Sequence, residues 1–233
     1  MNELIASLKD GLVVSCQLET DEPFNTPELV AKFALSAVNG GAAGIRTEGI
    51  DTIYAVRSVV REPLIGLVDG RFSNGWICIT PDFMDIEALL KSNVDIIALD
   101  VTPRKRPNGM DGIEFFEEVR NHYDIPLIAD ISTFEEGIRA AEMGADAIAT
   151  TLAGYTEYTQ RSLTDEPDFT LIEELARAVK VPVIAQGRIW TPQHAQEALK
   201  RGAFCAVAGA AITRPRMITK RFVDTMNRTT ASK

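Results

Sequence analysis

The stretch Pro126-Leu-Ile-Ala-Asp-Ile-Ser-Thr-Phe-Glu-Glu-Gly-Ile-Arg-Ala-Ala-Glu-Met-Gly-Ala-Asp-Ala-Ile-Ala-Thr150 decides the fold. It begins with an apolar run entered at a proline, passes through helical periodicity over 133–143, and leaves through Gly144 into a second apolar run. Proline at the first position of a strand forfeits no ladder hydrogen bond and fixes the entry angle. Glycine just past a helix end supplies the left-handed cap. The stretch is one strand–helix–strand unit.

The same unit recurs in both directions along the chain. Proline opens the third, fifth and seventh strands, as Pro63-Leu-Ile-Gly, Pro126-Leu-Ile-Ala and Pro182-Val-Ile-Ala. Glycine and alanine open the second, sixth and eighth, as Gly41-Ala-Ala-Gly-Ile-Arg, Gly144-Ala-Asp-Ala-Ile-Ala and Gly202-Ala-Phe-Cys-Ala-Val. Asn93-Val-Asp-Ile-Ile keeps the pattern for the fourth without the glycine. Strands are predicted near 12–17, 42–47, 63–69, 94–100, 125–130, 145–150, 181–186 and 203–209, and helices near 26–39, 49–61, 82–91, 111–122, 133–143, 168–179, 192–201 and 215–227. Eight strands, each followed by a helix, with a two-unit repeat, predict one closed (β/α)8 TIM barrel over residues 1–233; an open doubly wound sheet is the competing architecture. A polar tail is expected at about 228–233.

Composition narrows the function classes. At 233 residues and 45% apolar content the chain can bury one large core. A net charge of -9 argues against a nucleic-acid surface, which would need a basic face. No apolar run approaches the roughly 18 residues of a membrane span, and the acidic start Met1-Asn2-Glu3 does not resemble a signal peptide. Cys16, Cys78 and Cys205 are scattered and odd in number, which suits reduced, buried thiols in a cytoplasm.

In a barrel of this kind the polar residues at the C-terminal strand ends face the site. Here those ends read Gln17, Arg46, Asp69, Asp100, Asp130, Thr150 with Thr151, Gln186 and Gly209. Strand-end acids can also cap the next helix, and Asp100 with Thr102 suits that role. After the seventh and eighth strands come Gln186-Gly187-Arg188 and Ala208-Gly209-Ala-Ala-Ile-Thr-Arg214-Pro215. Small residues there let backbone N–H groups approach a phosphate, and an arginine can clamp it. The run Arg104-Lys-Arg106-Pro107 reads as a solvated loop, and His122 and His194 as surface residues on helices.

The segments Val14-Ser-Cys-Gln17, Ala43-Gly-Ile-Arg46, Ile79-Thr-Pro81, Ala129-Asp-Ile-Ser-Thr133, Thr150-Thr-Leu-Ala-Gly-Tyr-Thr156 and Gly209-Ala-Ala-Ile-Thr-Arg-Pro215, with Ile218-Thr-Lys-Arg-Phe-Val-Asp224, resemble the N-acetylmannosamine-6-phosphate 2-epimerase family over nearly the whole chain. The resemblance implies a barrel of the ribulose-phosphate-binding type. It also implies interconversion of N-acetylmannosamine 6-phosphate and N-acetylglucosamine 6-phosphate in sialic-acid and amino-sugar catabolism. By the same resemblance Gln17, Arg46 and Asp130 would contact the sugar and its N-acetyl group, Thr151 and Tyr155 would line the substrate side, and Gly187, Arg188, Gly209, Ala210 and Arg214 would hold the phosphate.

Two departures stand against the matches. Asp69 occupies the place of the family's catalytic lysine, and Gln186 that of its glutamate. A carboxylate can remove the proton next to a carbonyl if desolvation raises its pKa, and an amide can donate a hydrogen bond to the charge that develops. Asp69 and Gln186 are therefore the expected catalytic pair. Another lyase or isomerase reaction on a sugar phosphate, or a non-catalytic sugar-phosphate binder, is the alternative. No cofactor is expected; a divalent metal would need a ring of Asp69, Asp100 and Asp130. Barrels of this class commonly pair, so a homodimer is the expected assembly.

Overall fold

The computed structural model describes residues 1–17, 22–71, 77–162 and 165–231. Eight parallel strands close on themselves: β1 (Leu12–Cys16), β2 (Gly44–Glu48), β3 (Leu64–Leu67), β6 (Ile96–Asp100), β7 (Leu127–Asp130), β8 (Ala147–Ala149), β9 (Val183–Gln186) and β10 (Cys205–Ala208). Around the ring the order is β1-β10-β9-β8-β7-β6-β3-β2. The remaining two strands, β4 (Asp69–Arg71) and β5 (Ile77–Ile79), form an antiparallel pair outside the barrel. The outer helices are α2 (Pro27–Asn39), α3 (Ile50–Val59), α4 (Phe83–Lys91), α5 (Gly112–His122), α6 (Phe134–Glu142), α7 (Phe169–Ala178) and α8 (Pro192–Lys200). The barrel architecture agrees with the periodicity.

Strand alternation sorts each residue to one of two cores. Val13, Ile65, Ile96, Ala98, Ile128, Ala147, Ala149, Ile184, Cys205 and Val207 fill the barrel interior. Their neighbours Val14, Ile45, Leu64, Ile97, Leu99, Leu127, Ala129, Ile148 and Val183 pack outward under the helices. Short inward side chains such as Ala98, Ala147 and Ala149 leave room for the larger ones on facing strands. A four-residue helix, α1 (Glu3–Ala6), is capped by the Asn2 side chain and brings Ile5 to the interior core, together with Leu8 just beyond it. This plug was not anticipated from the sequence.

Helix starts are fixed locally. Asp82, Asp111 and Thr133 each form a reciprocal capping box with the residue three positions on. Two short-range expectations need correction. The third strand was expected to run through Asp69; it ends at Leu67, and Asp69 instead starts the hairpin, opposite Ile79. The hairpin returns at Thr80, a buried β-branched residue with φ +53°. That conformation is costly unless its surroundings enforce it. Here Thr80 N–H donates to the Val68 carbonyl at 2.7 Å, its hydroxyl donates to the Ala98 carbonyl at 2.8 Å, and Val68 N–H donates to that hydroxyl at 3.3 Å. Second, the polar end is helical: α9 (Ala210–Thr213) precedes α10 (Pro215–Ala231), which continues past the expected stop at 227. Ser232 and Lys233, the rest of the expected tail, lie outside the described residues.

The β6–α5 junction brings a helix start against barrel backbone. A Cβ on Gly112 would sit 2.3 Å from the Val101 carbonyl carbon and 2.4 Å from the Thr102 oxygen, and the Gly112 N–H donates to that same oxygen at 2.9 Å. Backbone cannot yield there as a side-chain tip can. Gly112→Ala is expected to lower stability by about 3 kcal/mol, measured as a fall in the urea midpoint at unchanged slope.

Candidate active site

The inward parity that fills the core carries on into polar residues at the strand ends. Ser15 and Gln17, Arg46, Asp69, Asp100, Asp130, Thr151, Gln186 and Gly209 each lie two or four residues beyond an inward apolar or glycine position. Above them opens a cavity of about 520 Å³ at the C-terminal mouth of the barrel. Gln17, Asp69, Thr151, Tyr155, Gln186, Gly187, Arg188, Gly209, Ala210 and Arg214 all line it. Arg46 and Asp130 do not.

That last pair lies beneath the cavity. Both side chains are sealed from solvent, and the guanidinium of Arg46 donates to the two oxygens of Asp130 at 3.0 and 2.7 Å. They cross the barrel from β2 to β7. Burial pushes the Asp130 carboxyl above its ordinary pKa, against the pull of Arg46 and of the Thr151 hydroxyl that donates to it. The pair was expected to touch the sugar directly; the structure gives it to the floor, with Thr151 as its contact to the cavity. The expected strand-end pair Thr150 and Thr151 likewise divides. The Thr150 hydroxyl faces outward, accepts from Gln186 N–H at 3.1 Å and donates to the Gln186 carbonyl at 2.9 Å.

Asp69 and Gln186 both line the cavity, and β3 and β9, the strands that lead to them, stand four apart in the ring of eight. The Gln186 Oε1 is buried with no partner. Native structures seldom leave such an acceptor unpaired, and a ligand donor explains it. Gln17 is held by the Ser15 hydroxyl, which donates to its oxygen at 2.7 Å, and donates in turn to Glu48 at 3.0 Å.

The two turns expected to cradle a phosphate lie side by side, since β9 pairs with β10. Gly187 takes φ +105° and Arg188 φ +56°, a consecutive left-handed pair that swings the chain around the rim. Ala210 and Ala211 begin α9, so their N–H groups are among those a helix leaves without an internal partner. Arg214 lines the same side and donates from Nε to the Gln17 carbonyl at 3.1 Å. The Arg188 side chain is engaged on the other side of the rim. Its guanidinium donates to the carbonyls of Ala153, Gly154, Ser162 and Arg161 at 2.8–3.2 Å and lies 4.2 Å over the Tyr155 ring. It staples the loop after β8 to the rim, because its planar donor fork meets a ring of carbonyls at that spot.

Arg104 is the residue that sequence reasoning missed. The Arg104–Pro107 run was read as a solvated loop, yet Arg104 lines the cavity and Arg106 is buried, its guanidinium 4.5 Å from the Phe115 ring and donating to the Asp100 carbonyl. The Asp100 side chain, fully buried, accepts from Thr102 N–H, the Thr102 hydroxyl and Arg104. Asp100 and Asp130 are thus each taken up by an arginine, and among the described residues no three His, Cys, Asp or Glu side chains converge as a metal site. His122 is exposed as expected; His194 is half-buried, its Nδ1 3.2 Å from the Arg188 carbonyl and 3.4 Å from the Trp190 nitrogen. Cys16, Cys78 and Cys205 are buried thiols pushed up to about 12, chiefly by desolvation. No helix among the described residues is long and apolar enough to cross a membrane.

A closed parallel barrel with its polar cavity at the C-terminal mouth defines a (β/α)8-barrel enzyme. The sequence pattern of the family described as "Putative N-acetylmannosamine-6-phosphate epimerase" matches residues 30–228. The chain belongs to that family. It is 45% identical over 222 residues to a protein of Caldanaerobacter subterraneus subsp. tengcongensis, covering 95% of this chain and 93% of the other. It is 42% identical over 227 residues to one of Shouchella clausii, covering 97% and 100%. Both bear the family's name. Among solved structures it is similar to the N-acetylmannosamine-6-phosphate 2-epimerase from Clostridium perfringens, with TM-score 0.89, 42% identity and 96% of each chain covered. Thiamine phosphate pyrophosphorylase from Pyrococcus furiosus, at TM-score 0.62 and 19% identity over 91% of each chain, shares the fold alone.

Replacing one member of the buried pair strands the other in a dry interior. Arg46→Met is expected to cost about 3–5 kcal/mol, and combining it with Asp130→Leu to recover most of that loss. Urea titration of the two single variants and the double variant measures the coupling.

Proposed function

We propose that the protein is a 2-epimerase that interconverts N-acetylmannosamine 6-phosphate and N-acetylglucosamine 6-phosphate, with Asp69 as the base. The observation that carries this reading is the cavity itself, which is lined by Asp69 on the β3 side and by Gln186 and two small-residue turns on the β9–β10 side. The similarity to N-acetylmannosamine-6-phosphate 2-epimerases over nearly the full chain supports the choice of substrate.

The chemistry follows from the side chains available. In the open-chain sugar the proton on C2 is acidic because its carbon adjoins the C1 aldehyde. Asp69 is the single carboxylate among the described residues lining the cavity. It takes the proton, the electron pair moves into C1–C2, and the C1 oxygen becomes negative. Gln186 cannot carry a proton; its unpartnered Oε1 accepts a hydrogen bond from a sugar hydroxyl. Asp69 returns the proton to the other face after the planar intermediate turns about its C2–C3 bond. The N–H groups at Gly187 and at Gly209 to Ala211, with Arg214, take the phosphate. Gln17 and Tyr155 flank the sugar, and Thr151 links it to the Arg46–Asp130 floor. The same reading places the enzyme in the cytoplasm, in amino-sugar and sialic-acid breakdown, as a homodimer.

Incubation with N-acetylmannosamine 6-phosphate in D2O tests it. Proton NMR is expected to record loss of the C2 proton signal together with conversion to the gluco epimer. Asp69→Asn is expected to lower the rate at least about 1,000-fold, as removal of a general base does, while the phosphate still binds. Binding of the sugar phosphate by the wild-type protein without exchange would overturn the catalytic reading in favour of a binder.

A further inference from the structure

We infer that Arg104 is a catalytic residue, the donor that stabilises the negative C1 oxygen while Asp69 holds the C2 proton. The inference rests on the epimerase reading above and adds to it the group that receives the charge.

Position is the first argument. β6 stands four strands from β10 in the ring, so the loop that carries Arg104 faces the phosphate cradle across the mouth. β6 is also the neighbour of β3, whose continuation carries Asp69. A hexose 6-phosphate held by its phosphate at the β9–β10 side therefore extends its other end, C1 and C2, toward the wall formed by Asp69 and Arg104. Both side chains line the cavity.

Preorganisation is the second. Nε of Arg104 donates to the Thr102 hydroxyl at 2.9 Å, and Nη2 donates to Asp100 Oδ2. Asp100 is fully buried and is itself fixed by Thr102 N–H at 2.9 Å and the Thr102 hydroxyl at 2.6 Å. Two of the three guanidinium nitrogens are thus tied down, whereas Nη1 has no partner among the described residues. The side chain retains 11% exposure, on the cavity side. A donor fixed before the charge appears costs no reorganisation when it forms, which is how such donors lower a barrier.

Charge is the third. Proton removal adds a negative oxygen next to Asp69. Arg188 is committed to the loop carbonyls and Arg214 lies on the phosphate side, so Arg104 is the cation at the reacting end. The step balances within the named groups. The C2–H bond breaks, its proton goes to the Asp69 carboxylate, its electrons form the C1–C2 double bond, and the carbonyl pair moves to oxygen. Arg104 donates hydrogen bonds to that oxygen and transfers no proton, because a guanidinium stays charged.

Arg104 also neutralises buried Asp100, so the test separates chemistry from folding. Arg104→Lys keeps the charge beside Asp100 but loses the planar fork that bonds Thr102 and Asp100 while a third nitrogen remains for the cavity. In the D2O exchange assay this variant is expected to lose about 100-fold in kcat, with KM within about threefold of wild type and an unchanged melting temperature. Arg104→Ala is expected to regain part of its kcat when guanidinium ion is added, a recovery that a folding defect would not allow. Wild-type kcat in either variant, or a raised KM at wild-type kcat, would overturn the assignment. Absence of exchange in the wild-type protein would sink the epimerase reading and this role with it. Exchange in wild type that persists undiminished in Arg104→Lys would sink this role alone.

Discussion

The Arg46–Asp130 ion pair, sealed inside the barrel, is the interaction on which the site depends. Two charges withdrawn from water incur a large desolvation cost, and only close geometry offsets it. Two hydrogen bonds between the pair and a third from Thr151 provide that geometry. The pair marks the boundary between two regimes along the barrel axis. Below it the inward residues are apolar and packed, from Ile5 and Leu8 up through Ala98 and Val207. Above it the inward residues are polar and line a cavity. The polar site can exist because the charges of the floor supporting it are paired, although Arg46 Nε has no partner.

A second constraint follows from strand register. Asp100 and Asp130 are paired positions on adjacent strands, so two buried carboxylates lie side by side. Like charges opposed in this way repel, and Asp100 adds to the upward push on the Asp130 pKa. Each is relieved from a different direction. Arg46 reaches Asp130 across the interior from β2, and Arg104 folds back onto Asp100 from the loop above. The first solution builds the floor. The second leaves a guanidinium at the cavity wall with two of its nitrogens bonded to Thr102 and Asp100. Electrostatic relief of the scaffold and placement of a cation at the reacting end are thus one arrangement.

What the sequence made legible was whatever depends on period two and on local turn chemistry. Proline and glycine–alanine strand entrances gave the eight-strand count, and strand-end position picked out Asp69, Thr151, Gln186 and Gly209, all of which line the cavity. What it concealed depends on contacts distant in the chain or on backbone handedness. Val68 and Asp69 read as more strand, because the bend into the hairpin is enforced by Thr80, whose strained φ is held from β6. Arg104 sits in a run of Arg-Lys-Arg that looks solvated, and only the burial of Asp100 draws it inward. Arg188 follows a glycine in a phosphate-like turn, but the positive φ at both 187 and 188 sends its side chain to the loop after β8. Arg46 and Asp130 were legible as a charged strand-end set, not as partners, since nothing local in sequence pairs residues 84 positions apart.

The electrostatics of the mouth differ from those of the whole molecule. The chain carries a net charge of -9, which alone would repel a phosphorylated sugar. The described cavity lining holds three arginines, Arg104, Arg188 and Arg214, against one aspartate, Asp69, with Arg104 offset by buried Asp100 behind it. Arg188 contributes although it does not reach into the phosphate turn. Its partners are neutral carbonyls, and among the described residues it is in no ion pair, so its charge is not cancelled by a carboxylate. It lies behind Gly187, shielded from water by the loop it anchors, where charges interact over longer distances than in solvent. Stapling a loop with an arginine therefore does what a neutral staple would not: it closes one side of the site and biases the rim toward an anion.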